Sequence, residues 1–279
     1  MRTGILTILA YFVMCSVGYA SDVYITQSGA SLTANINQDG QTNKFGDSTT
    51  AVTLTGDNQT LDIDQIGNTN TIAASVVGAT QTFTLRQAGN SNTSTVSVGA
   101  NSASADNSII QTITGSSNTT TVNVGSSAST DDADIDLVAT GSSNTSTVSV
   151  GANSASGDNS IIQAITGSSN TTTVNVGSSA ASSDADIDLV ATGSSNTVTI
   201  NENSTASMIG SDKKITSITA IGSSNTITST HIGAADQDTT LHHTGSSSTF
   251  AITQDGAHDG SVSITTVGSG HNVTVTMDD

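Results

Sequence analysis

Apolar residues fall on alternate positions through most of this chain, in short runs that the same turn interrupts again and again. With the glycine of each turn as origin, the residues six, four and two places before it form the triplets Leu61, Ile63, Gln65; Phe83, Leu85, Gln87; Ile109, Gln111, Ile113; Ile135, Leu137, Ala139; Ile161, Gln163, Ile165; and Ile187, Leu189, Ala191. A period of two puts each triplet on one face of a strand, and that face is apolar enough to point inward. Beyond the glycine the inward series resumes three residues on, as in Asn92, Ser94, Val96, Val98 and Asn118, Thr120, Val122, Val124. The unit is strand, G-x-x-N turn, strand and second turn.

The unit is also copied. Asn92 to Ser143 spans 52 residues and recurs as Asn144 to Ser195 with five substitutions, and each copy holds two 26-residue coils carrying the turn G-S-S-N-T. Near-identical tandem coils can pack on one another through the same contacts, which predicts a solenoid. Early in the chain both turns are tight, with Gly56, Gly67, Gly78 and Gly89 at intervals of 11 residues. In the central copies the second turn widens into loops of Ser, Ala and Asp, and after Glu202 the pattern loosens but persists through Gly222, Gly245 and Gly268. The expected fold is all-β: a parallel β-solenoid of stacked strand-turn-strand coils with two facing sheets. Residues 21–58 read as a less regular N-terminal segment and 59–277 as the repeat domain. Coils about 4.8 Å apart would place ~10 of them in a rod roughly 50 Å long. Sheets ~10 Å apart leave room for one layer of side chains.

Three sets of positions recur through the coils and are the candidate functional residues. The inward amides are Gln38, Asn43, Gln65, Asn70, Gln87, Asn92, Asn118, Asn144, Asn170, Asn196 and Asn225. A buried amide is costly alone, but in register each one can bond the amide above and below it. The turn glycines are Gly40, Gly67, Gly89, Gly115, Gly141, Gly167, Gly193, Gly222, Gly245 and Gly268. Just after the turn Asn, outward positions form T-x-T pairs: Thr93 and Thr95, Thr119 and Thr121, Thr145 and Thr147, Thr171 and Thr173, Thr197 and Thr199, Thr226 and Thr228.

Inward Gln, turn Gly and inward Asn together spell Q-x-G-x-x-N at Gln38 to Asn43, Gln65 to Asn70 and Gln87 to Asn92. This resembles the curlin repeat of the curli family, secreted subunits of extracellular amyloid fibres built from stacked strand-turn-strand coils. In the central coils Ile113, Ala139, Ile165 and Ala191 stand where that motif has Gln, while the Gly and Asn remain. The resemblance implies self-assembly into a homopolymer at the cell surface, with adhesion or biofilm roles and a nucleator subunit or secretion pore as further partners. The T-x-T rows resemble those of β-solenoid ice-binding proteins, and ice binding is the alternative they imply; Thr also simply favours an exposed strand. A virion tail appendage or a surface adhesin suits the same architecture.

Composition narrows the function classes. The chain has no Pro, which would break a ladder, and no Trp; 3% of its residues are aromatic and 10% charged. Residues 1–20 read as a secretory signal peptide, with Arg2 at its start, an apolar run from Ile5 to Met14 and Gly18-Tyr19-Ala20 before Ser21. The expected location is therefore extracellular or at the cell surface. Cys15 lies inside that segment, so the processed chain is expected to be free of thiols. A formal charge of −18 at pH 7 with 5 Lys and Arg argues against nucleic acid and anionic membranes as partners. No stretch beyond the leader is apolar and long enough for membrane insertion.

No cofactor is expected. Loop residues Asp106, Asp131, Asp132, Asp158 and Asp184 offer oxygen ligands suited to Ca²⁺, but the Gly-rich aspartate nonapeptide of calcium β-rolls is missing, and a solvated acidic edge accounts for them. Outward Asp62 and Asp64, Asp134 and Asp136, and Asp186 and Asp188 add three acid pairs. His231, His242, His243, His258 and His271 lie in the last quarter, His243 at an inward Gln position and His271 at an inward Asn position, where they stand in for ladder amides. A two-imidazole metal site lacks a third ligand. No Ser-His-Asp order or phosphate loop stands out, so the chain reads as a structural protein and not an enzyme.

Overall fold

The computed structural model describes residues 11–15, 21–23, 25–29, 31–39, 43–46, 52–67, 69–78, 80–89, 91–98, 107–115, 117–125, 133–141, 143–151, 159–167, 169–177, 185–203, 213–233, 236–256 and 260–278. In chain order its strands begin with β1 (Tyr11–Cys15), β2 (Ser21–Val23), β3 (Thr26–Ser28), β4 (Thr33–Asp39), β5 (Asn43–Phe45), β6 (Val52–Thr55), β7 (Gln59–Ile66) and β8 (Ile72–Val77). The central copies supply β9 (Gln81–Ala88), β10 (Ser91–Val98), β11 (Asn107–Thr114), β12 (Ser117–Val124), β13 (Ala133–Thr140), β14 (Ser143–Val150), β15 (Asn159–Thr166), β16 (Ser169–Val176), β17 (Ala185–Thr192) and β18 (Ser195–Asn203). The series ends with β19 (Lys213–Ile221), β20 (Thr226–Ile232), β21 (Asp236–Thr244), β22 (Thr249–Asp255), β23 (Gly260–Val267) and β24 (Asn272–Asp278).

The chain is an all-β parallel solenoid. From β7 onward the strands alternate between two sheets: the odd-numbered ones extend an 11-stranded sheet, with β1 and β4 at its start, and the even-numbered ones extend a 13-stranded sheet. Each strand pairs in parallel with the equivalent strand one coil away, as β11 does with β13 and β12 with β14. Register is strict because a slip of one residue would turn every inward side chain outward. In β13, Ala133, Ile135, Leu137 and Ala139 are buried while Asp134, Asp136, Val138 and Thr140 are exposed. All six inward triplets read from the sequence are buried, as are the inward residues that follow the turns in the central coils. They meet in one continuous layer from Leu32 to Ile252, where each fully buried Val, Leu or Ile contributes roughly 1.5–3 kcal/mol.

The stack already includes the described strands between residues 21 and 58. There β4 lies on β7 from Thr33↔Thr60 to Asp39↔Ile66, whereas the second sheet is broken into the short strands β2, β3, β5 and β6. Within the segment read as a leader, β1 pairs with β4 from Tyr11↔Asn35 to Cys15↔Asp39.

Candidate functional site

The turn that organises each coil is a column of glycines. The N–H of Gly115 donates to the Thr140 carbonyl, that of Gly141 to Thr166 and that of Gly167 to Thr192, each at 2.9 Å, so every turn is fastened to the next coil. A Cβ added at Gly141 would fall on the Gly115 carbonyl oxygen and on Asn118 Oδ1. Glycine is required here by the close approach of successive layers. Gly67, Gly89, Gly193, Gly222, Gly245 and Gly268 occupy the same turn, and Gly40 lies outside the described residues.

Behind the glycines runs the amide ladder. Asn92 donates to Asn70 Oδ1 at 2.6 Å and Asn118 to Asn92 at 2.6 Å. In the other direction Asn144 donates to Asn170 at 3.0 Å, Asn170 to Asn196 at 2.7 Å and Asn196 to Asn225 at 2.9 Å. The donor sense reverses between Asn118 and Asn144, whose Oδ1 atoms are left without a partner. A shorter glutamine ladder joins Gln65 to Gln38 at 2.6 Å and Gln87 to Gln65 at 3.1 Å. Each of these Gln also reaches across the turn, as Gln87 does to the Thr93 carbonyl at 3.1 Å. Asn43 lies in β5, its side chain outside the described residues.

The threonine rows face outward on the second sheet. Thr93, Thr119, Thr145, Thr171, Thr197 and Thr226 pair coil by coil, as do Thr95, Thr121, Thr147, Thr173, Thr199 and Thr228. The first row is exposed and the second half-buried. Beside them Asn201 donates to Asn175 at 2.9 Å, so an outer amide pair flanks the threonines. From β10 to β18 the outward positions of this sheet are Thr, Ser and Asn. The first sheet is different: Asp62, Asp64, Asp134, Asp136, Asp186 and Asp188 project from it. Arg86 pairs with Asp64 at 3.5 Å. The Asp186 carboxyl is raised above its ordinary range, first by partial desolvation and then by the negative charges of Asp188 and Glu202. The loop residues Asp106, Asp131, Asp132, Asp158 and Asp184, together with His258, lie outside the described residues.

One buried constellation escaped the sequence reading. The inward column Val98, Val124, Val150, Val176 continues as Glu202, His231 and Gln254. Glu202 and His231 are 0% and 1% exposed, and His231 Nδ1 lies 2.5 Å from Glu202 Oε2. His231 Nε2 meets Ser229 Oγ at 2.7 Å and Thr239 Oγ1 at 3.1 Å, while Thr216 donates to the other Glu202 oxygen at 3.3 Å. Ser229, His231 and Glu202 thus have the bonding order of a nucleophile, base and orienting acid. All three are sealed in the core, where no substrate reaches them. The available signal was the replacement of Val by Glu at an inward position, which period-two counting alone exposes.

Further along, His243 takes the inward Gln column and bonds the Asn225 amide at 2.8 Å and Ser248 Oγ at 2.7 Å. Its ring stacks edge-on against His271 at 4.9 Å and Phe250 at 5.0 Å. Burial lowers its pKa below the ordinary histidine value, and His271 adds to the effect. The last layer, β23 and β24, leaves the inward-series residues Val273, Val275 and Met277 exposed at 46%, 42% and 52%. Among the described residues no group of three or more His, Cys, Asp or Glu is placed to hold a metal, and no helix is long and apolar enough to cross a membrane. Comparison of the chain with family models, with curated proteins and with solved structures returns no match.

Proposed function

We propose that this chain is a secreted structural subunit that assembles end to end into extracellular fibres, as the curli-like motif implies. The observation that carries the reading is the pairing of near-identical strands in register, β12 on β10 and β14 on β12, which stacks turn asparagine on turn asparagine at each step. Contacts that fasten one coil to a near copy of itself serve equally between chains. The outer layer offers unpaired backbone groups together with the apolar Val273, Val275 and Met277. Opposing this, a formal charge of −18 repels subunits, so salt or divalent cations should quicken assembly. Electron microscopy and fibre diffraction of the chain after salt addition test it: fibres with a reflection near 4.8 Å are expected. Deleting residues 92–195 should abolish them, and a monodisperse monomer through concentration and salt series would refute the reading.

A second reading rests on the threonine face. Twelve threonines in two columns over six strands form a regular grid of hydroxyls and methyls, suited to ordering water as an ice-binding surface does. Thermal hysteresis that falls on Thr145→Tyr is the expected result, and an inert protein at high concentration removes it.

A further inference from the structure

Between β11 and β17 the outer face of the first sheet carries exposed aliphatic side chains where the second sheet has Thr, Ser and Asn. Ile110, Val138, Ile162 and Val190 are exposed at 42%, 36%, 46% and 42%. Register puts Ile110, Asp136, Ile162 and Asp188 in one column and Thr112, Val138, Ala164 and Val190 in the next. The four aliphatics therefore step from column to column at each coil and draw a zigzag along the rod. Asp134 and Asp186 stand one column further out, beside Asp136 and Asp188. A groove of about 310 Å³ opens among Ser108, Ile110, Asp134, Asp136, Ser160 and Ile162. Among the described residues no cation pairs with these four aspartates.

We propose that this face docks a short cationic amphipathic helix laid along the rod axis. Successive aliphatics advance by one coil, about 4.8 Å. Apolar positions three and four apart on a helix advance about 4.5 and 6.0 Å and zigzag in the same way. The acid pairs recur every second coil, roughly 9.6 Å, against about 10.5 Å for seven helical residues. Over four coils the mismatch stays within the reach of a lysine side chain. An extended peptide along the axis presents same-face residues every ~6.7 Å and falls out of step at once. A second copy of this face would set aspartate against aspartate, and a neutral helix would desolvate carboxylates without pairing them. The surface lies on the side of the rod and is open in a monomer and in a fibre alike, so the inference does not depend on end-to-end assembly.

The test uses the full chain and a fluorescein-labelled peptide of two heptads, with Leu at the seam and Lys on one flank, followed by anisotropy and by circular dichroism of the peptide. Saturable binding with a gain in helix is expected, weakening as salt rises. Asp136→Asn with Asp188→Asn should weaken it about fivefold, as two exposed ion pairs imply. Ile162→Ser with Val190→Ser should weaken it at least as much, whereas Ser149→Asn on the opposite sheet should change nothing. No binding, binding without helix, equal binding of a peptide with Glu in place of Lys, or indifference to both double variants would overturn the proposal.

Discussion

The buried pair of Glu202 and His231 makes a quantitative prediction. Glu202→Val restores the residue that Val176 supplies one coil earlier, but it leaves His231 with its Nδ1 unpaired in a core where the ring is 1% exposed. His231→Val leaves the Glu202 carboxylate held by the Thr216 hydroxyl. Removing one partner of a buried ion pair costs about 3–5 kcal/mol, most of it the uncompensated charge. His231 keeps Ser229 and Thr239 as partners when Glu202 is replaced, so Glu202→Val should fall near the lower figure and His231→Val, which strands a buried carboxyl group, near the upper. Replacing both removes the charges together, and what remains is the loss of a partner at Ser229 and Thr216, about 1–3 kcal/mol for each hydroxyl left unsatisfied. The double variant should therefore be no less stable than His231→Val alone. The coupling between the two sites should be at least about 2 kcal/mol, within the range for contacting residues.

The assay should be local. Long repeat stacks need not unfold in a single step, so amide hydrogen exchange on β18, β20 and β22 is the better reporter. Protection that falls in each single variant and falls no further in the double variant than in His231→Val is the expected result. Costs that simply add would show that Glu202 and His231 act independently and that the pair is no unit.

Three further outcomes follow from the same geometry. Gly141→Ala forces a methyl onto the Gly115 carbonyl and should cost roughly 1–3 kcal/mol, read as lost protection of the residue 141 amide that donates to the Thr166 carbonyl. Val122→Asp buries a lone charge and should unfold its coil, whereas the neighbouring Thr121→Asp, half-buried on the outer face, should stay within about 0.5 kcal/mol of the parent in urea titrations; equal damage from both would refute the inward-outward assignment. The lowered pKa of His243 means that the unfolded chain binds the proton first, so stability of the last coils should fall as pH drops below the ordinary histidine value of 6.5. His243→Gln, restoring the residue type of Gln65 and Gln87, should flatten that window. Asp186 works in the opposite sense: its raised pKa makes the folded state the better proton acceptor, so acidification just above 3.8 relieves it.

Much of the architecture was legible in the sequence because one period governs it. Strict alternation between glycines fixes both the strand faces and the stacking, and the 52-residue copy fixes which strand lies on which. The amide and threonine columns follow from the same count. What could not be read is what depends on contacts between columns. Gln59 and Gln81 are buried at the second turn, where Gln59 donates to the Gly29 carbonyl at 3.2 Å and Gln81 to Gly56 at 3.3 Å. They stand eight residues before the turn glycine, beyond the triplets that define the apolar face. The meeting of Glu202 with His231 spans 29 residues, so no local motif announces it. The aliphatic zigzag on the outer face is invisible along any one strand, because its members sit in different columns of successive coils.

These irregular columns bear on how a repetitive chain chooses one register. Strands β10, β12, β14 and β16 carry the same inward asparagine and valines, so a C-terminal strand meeting any of them finds nearly the same apolar face. If β20 skipped β18 and settled on β16, His231 would lie on Val176 and Glu202 would lose its base. That slip leaves a buried charge unpaired at a cost of about 3–5 kcal/mol, enough to favour the observed order by more than a hundredfold. A buried polar pair that contributes little net stability can thus specify order, as polar residues in otherwise uniform apolar seams do. The same reasoning separates internal stacking from end-to-end assembly. Strands β10 and β14, β12 and β16, β13 and β17 are identical pairs and favour addition of like coils, whereas Glu202 in β18 and His231 in β20 fit one neighbour each. The Glu202→Val and His231→Val double variant, although no less stable than His231→Val alone, should then populate misregistered stacks, seen as heterogeneous exchange on β20 and as a broader distribution of assembled species.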